Sequence, residues 1–175
     1  MKGTITGTGQ QIVRNPTAAS LMADIRSGDR ALRHRAIVQS TLIGTPLIAD
    51  LGRALGGDPA IVRAAQEALR RVVHHAARPL AASERRTACR ELLKLTDPAL
   101  PRAARVEALS LLGCVGNADV VPGLAGLLKD PDVAEEARMA LARLPGSAAR
   151  RALAATRTGF ANEPAGRYPA ASSRS

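Results

Sequence analysis

A recurring turn divides this chain into helix-sized pieces. Asp58-Pro59, Asp97-Pro98 and Asp130-Pro131 each stand between a shorter and a longer stretch of apolar residues with a helical period. Asp29 marks a degenerate fourth start without the proline, and the spacings between starts are 29, 39 and 33 residues. An Asp side chain accepts from the free amides of a helix's first turn. A Pro just inside the helix lacks only an amide that would have no partner there. Ala65 and Ala137 both lie seven residues after their Asp, and Leu69 and Leu141 both lie eleven after. One helix pair cannot bury its apolar face alone, whereas stacked pairs make a continuous core. The pattern predicts an all-α fold built by repetition.

Read in order, Thr17 caps a helix to about Ser27, with Leu21, Met22 and Ile25 on its apolar side, and Gly28-Asp29 breaks it. A helix over 30–43 buries Leu32, Ala36, Ile37 and Leu42. Thr45-Pro46 opens a helix over 46–55, closed by Gly56-Gly57. The best amphipath follows over 59–77. Ile61, Ala65, Ala68, Leu69, Val72 and Ala76 share one face, while Arg63, Glu67, Arg70 and His74 line the other at spacings of 4, 3 and 4. Further helices are expected over 83–95, 99–115, 119–129, 132–144 and 147–156. The helix 99–115 is apolar nearly all round, which suits a central position. The division is an N-terminal flexible arm over 1–16, a helical body over 17–156 and a disordered basic tail over 157–175.

The apolar share is 46%, yet aromatics make up 1%, with one Phe, one Tyr and no Trp, so the core must be aliphatic and rich in Ala and Leu. Those residues head the helix-propensity scale, whereas sheets favour aromatic and β-branched ones. The net charge of +10 divides as +2 in residues 1–28, +4 in 29–146 and +4 in 147–175, so much of it lies in the termini. That dilutes the signal for an anionic partner. Cys89 and Cys114 belong to no C-x-x-C motif and read as small buried hydrophobes in a reducing compartment. The first residues lack the apolar run of a signal peptide and no stretch is long and apolar enough to span a membrane. The expected setting is cytoplasmic.

These starts resemble the HEAT-repeat family, of the short bacterial type related to armadillo repeats. The resemblance is carried by Leu127-Leu128-Lys129-Asp130-Pro131-Asp132-Val133 and by Asp58-Pro59 with Val62-Arg63-Ala64-Ala65. It implies a right-handed α-solenoid of about four HEAT-like helix pairs over 17–156. It also implies a ladder between turn Asp and helix Arg, here Asp58 with Arg63 and Asp97 with Arg102, with Asp130 as a third turn. The last unit departs, because Glu136 stands near where an Arg is expected. Helix capping alone is the simpler role for these Asp residues.

Catalytic chemistry finds little footing. His74 and His75 are adjacent and diverge by about 100° on a helix, so they do not form a metal pair. Glu135 and Glu136 sit in a helix's first turn, where the dipole favours them, and Glu67 precedes Arg71 by four residues in a stabilising order. Gly7-Thr8-Gly9 has no strand–helix context. The reading is a non-catalytic protein-binding scaffold with no cofactor or metal, using Arg63, Glu67, Arg70 and His74 to contact another protein. The alternative is nucleic-acid binding through an Arg stripe (Arg63, Arg70, Arg71, Arg102 and Arg105, with His74) and the tail. The family also contains DNA glycosylases and lyase-related proteins. The first of these need aromatic stacking that this chain lacks outside its tail, and no residue set here supports the second. The short Ala-rich final helix predicts weak self-association.

Overall fold

The computed structural model describes residues 15–160, with side chains to residue 155. Expectations for the arm before residue 15 and for the tail beyond residue 160 lie outside the described residues. Within them the chain is helical with no strand. The helices are α1 (Ala18–Arg26), α2 (Arg30–Ile43), α3 (Ile48–Arg53), α4 (Pro59–Ala76), α5 (Ala82–Lys94), α6 (Arg102–Val115), α7 (Val121–Gly126), α8 (Ala134–Arg143) and α9 (Ser147–Phe160). Each odd-numbered helix up to α7 packs on the longer helix that follows it, and α2, α4, α6 and α8 pack on one another in series. Helix α9 packs on α8 and α7.

Local chemistry accounts for most of the boundaries. Thr17 accepts from the Ser20 amide at 3.1 Å while Ser20 Oγ accepts from the Thr17 amide at 2.9 Å, a reciprocal cap on α1. Asp29 accepts from Ala31 and Leu32, and Asp58 from Ala60 and Ile61, so both cap the long helices they precede. Asp97 and Asp130 do not cap in this way. Asp97 accepts from Ala99 at 2.8 Å, inside a turn that precedes α6 by several residues. Pro101 explains the delay, since a proline disfavours the helical region for the residue before it, and α6 begins at Arg102. Asp130 accepts from Asp132 at 3.0 Å, and α8 begins at Ala134. The helix expected over 46–55 is divided into the 3-10 turn Thr45–Leu47, α3 and the 3-10 turn Ala54–Gly56. Thr45 lies inside the first of these and makes no cap. The last helix runs to Phe160, four residues past its expected end.

One aliphatic cluster runs through the helices from α1 to α9. Leu21 and Ile25 give way to Ile48 and Leu51, then Leu69 and Val72, Leu92, Leu109 and Leu112, Leu124 and Leu141, all fully buried. Ala36, Ala65, Ala68, Ala88, Ala104, Ala108 and Ala137 fill the positions between them, and their small side chains let the helix backbones come close. Helix α6 is enclosed on most sides, as its apolar circumference predicts. Two apolar expectations fail. Leu42 is 70% exposed, because α2 turns that side away from α4, and Cys114 is exposed rather than in the core. Cys89 is buried, with Sγ 3.7 Å from the Val115 carbonyl oxygen, and both thiols are free. The turn at Leu80 carries a fully exposed leucine at φ +67°, closed by a two-bond ion pair from Arg78 to Glu84 at 2.7 and 2.8 Å.

The end of α6 is tightly filled. A Cβ on Gly116 would stand 2.4 Å from the Leu112 carbonyl oxygen and 2.8 Å from Val120, whereas one on Gly126, in helical conformation, meets nothing within 4 Å. We expect Gly116→Ala to lower stability by about 1–3 kcal/mol through overpacking. Gly126→Ala should raise it by about 0.4–1 kcal/mol by restricting the unfolded chain. Urea unfolding of the two variants checks both signs.

Candidate interaction surface

The line foreseen on α4 is present as an outward-facing row, with Arg63, Glu67, Arg70 and His74 all exposed along the helix. Their environments differ. Arg70 reaches across to α6 and donates from Nε and Nη2 to Glu107 at 2.6 and 2.9 Å. Gln66 adds a third bond to the same carboxylate at 3.2 Å. The two-point hydrogen bond and then the charge of Glu107 raise the Arg70 pKa above its ordinary value. Glu107 is 5% exposed, a carboxylate set into a wall of aliphatic side chains and satisfied by three donors.

The same motif repeats one interval further along. Arg102 on α6 donates to the Asp132 carbonyl at 3.0 Å and to Glu136 on α8 at 2.6 Å. Arg105 is buried at 2% exposure and donates to the Thr96 carbonyl at 3.1 Å and to Asp130. Asp132 lies 3.6 Å from its other nitrogen. Neither Asp58–Arg63 nor Asp97–Arg102 is paired; the links present between the long helices, among the described residues, are two helix-to-helix pairs and one from a helix to the Asp130 turn. They run forward from α4 to α6 as Arg70–Glu107, and from α6 to α8 and the turn before it as Arg102–Glu136 and Arg105–Asp130. Glu136, the residue that breaks the expected pattern, is the acceptor for Arg102. Arg85 adds a different link, donating to the Val115 and Gly116 carbonyls at 2.6 and 3.0 Å and so capping the C-terminus of α6 from α5. Among the described residues no buried side-chain nitrogen or oxygen lacks a partner.

These pairings change the meaning of the arginine stripe. Arg70 and Arg102 are held by carboxylates, Arg105 is inside the protein, and Arg71 lies 3.9 Å from Glu67. Arg63 makes no side-chain hydrogen bond or ion pair with the described residues. It lines a groove of about 480 Å³ between the first turns of α2 and α4, together with Arg30, Arg33, His34, Ile37, Ala60, Ala64 and Glu67. The α2 members were not singled out in the sequence, although Arg30, Arg33, His34 and Ile37 follow the spacing of one helix face. Glu107 was likewise missed. Its signal was a lone carboxylate on a helix that is apolar nearly all round.

No group of three or more His, Cys, Asp or Glu is placed to hold a metal among the described residues. No helix among them is long and apolar enough to cross a membrane. No protein-family model matches the sequence, and no curated protein matches it.

The forward links separate aspartates that look alike in the sequence. Asp58 only caps, so Asp58→Ala should cost about 1 kcal/mol. Arg105→Ala strips a buried guanidinium from Asp130 and from the Thr96 carbonyl and should cost about 3 kcal/mol. Arg105→Met, which refills the stem, should cost less. Denaturant midpoints give the ranking.

Acid adds a second test. The Asp132 amide and then Arg105 hold the Asp130 carboxyl below its usual range, and Arg138 does the same for Glu135. Both carboxyls bind protons less readily in the folded chain than in the unfolded one. Their contribution is therefore complete above about pH 4.5 and lost as pH falls through the lowered folded values. The urea midpoint should drop on acidification below that range, and Asp130→Asn should flatten the drop.

Proposed function

We propose that this chain is a non-catalytic protein-binding scaffold. Its α-helices form a right-handed solenoid of about four HEAT-like pairs, α1/α2, α3/α4, α5/α6 and α7/α8, with α9 closing the end. The long helices present the recognition surface. The observation that carries this reading is the exposed row Arg63, Glu67, Arg70 and His74 on α4, in series with the outer faces of α2, α6 and α8. A stack of helix pairs presents such a face because its apolar sides are used against its neighbours. The carboxylates that hold Arg70 and Arg102 weigh against a nucleic-acid track, which needs a run of unpaired cations to displace counterions along a backbone.

The test is affinity capture with tagged full-length chain from source-cell lysate, with and without nuclease, at low and high salt. We expect a discrete protein that survives nuclease. It should be lost with the double substitution Arg63→Glu/His74→Glu and retained with Arg150→Glu on α9. Recovery of nucleic acid alone, released by salt, would overturn the proposal.

A further inference from the structure

We infer that the groove between α2 and α4 is a receptor for an acidic peptide segment of the partner protein. This rests on the scaffold reading and names the chemistry of what the scaffold holds. Arg30, His34 and Arg63 have no side-chain hydrogen bond or ion pair with the described residues. Arg33 commits one nitrogen to the Ser27 carbonyl oxygen and keeps its other donors. Further along the long helices Arg70 is answered by Glu107, Arg102 by Glu136 and Arg138 by Glu135, while Arg143 at the end of α8 has no carboxylate partner among the described residues. The α2–α4 interval holds no ion pair between the two helices among the described residues. Its single carboxylate, Glu67, sits near Arg71 at 3.9 Å and answers one charge of the cluster at most.

Three guanidiniums gathered around one groove hold like charges together, and their field selects an anion. Arg is also the side chain whose planar fork fits carboxylates two bonds at a time. The floor contributes too. Ile37 and Ala64 are buried there beside Ala60, which gives an apolar side chain of the incoming segment a place between its acids. Clusters of Arg around such a seat are a recurring means of reading acidic motifs.

The shape of the charge favours a peptide over a polynucleotide. Arg30, Arg33, His34 and Arg63 gather in one inter-helix groove, whereas the next intervals carry the pairs Arg70–Glu107 and Arg102–Glu136, with Arg143 on α8 a lone cation among the described residues. A phosphate backbone tracking along the long helices would leave the groove for arginines already held by carboxylates, whereas a segment of a few residues would stay within it. The chain's own ends do not suit the groove, since residues 1–14 carry Lys2 and Arg14, and residues 161–175 carry Arg167 and Arg174 against Glu163.

The experiment is fluorescence anisotropy of the full chain with a labelled hexaglutamate peptide at low salt, with a short oligothymidine as competitor. We expect saturable peptide binding that salt weakens. Arg30→Glu and Arg63→Glu should each weaken it about tenfold, Arg150→Glu should leave it within about twofold, and Glu67→Gln should strengthen it. Both groove arginines and Arg150 are exposed, so unchanged melting temperatures of the variants verify that folding is not the cause. Equal loss in Arg63→Glu and Arg150→Glu would overturn the inference, because it would reduce binding to net charge. Oligothymidine that binds more tightly than the peptide, with the same dependence on Arg63, would overturn it in favour of phosphate. Absent peptide binding beside a nuclease-resistant captured protein would sink the groove and leave the scaffold standing.

Discussion

Arg105 is the interaction on which the late half of this fold depends. A guanidinium with 2% exposure has left water, so every part of it must be answered inside the protein. The Thr96 carbonyl at the end of α5 and the Asp130 carboxylate before α8 answer it together. One side chain on α6 thus fixes where the preceding helix ends and where the following one begins. Arg102 and Arg85 work in the same manner, the first toward Asp132 and Glu136, the second onto the last carbonyls of α6. An aliphatic core of Leu and Ala drives helices together without prescribing their order along the stack. These polar links supply register that the core does not.

That division of labour also decides which surface arginines are paired. From α4 onward, Arg70, Arg102 and Arg105 reach carboxylates on or just before the next long helix, which fastens the helices. Ile37, Ala60 and Ala64 line the groove between α2 and α4, and the arginines beside them remain unpaired by carboxylates of the neighbouring helix. The same residue type is therefore a fastener in one place and without an ion pair among the described residues in another, as at Arg30 and Arg63. Local pairing decides which, and the net charge of the chain does not.

What the sequence made legible follows from how local each signal is. The bounds of α2, the Asp58 cap and the buried face of α4 were readable because they depend on residues within one or two turns. The Asp97 and Asp130 turns look like Asp58 in the sequence. They behave differently because Pro101 delays α6 and because Asp130 has a second partner 25 residues upstream. The partners of Arg70 and Arg102 were out of reach for the same reason, since Glu107 and Glu136 lie 37 and 34 residues away. Cys114 and Leu42 were placed inside by their apolar character, yet each faces outward on its helix. The groove arginines of α2 carried a readable face pattern, but which helix lies opposite them is a fact of packing.

The most direct measurement is residue-resolved NMR of the nitrogen-15-labelled full chain during titration with hexaglutamate. The account predicts amide shift changes concentrated in residues 30–37 and 60–67, the two helix starts that form the groove, with α8 and α9 unmoved. Shift changes spread over Arg78 to Arg90 and Arg150, in proportion to exposed positive charge, would contradict it.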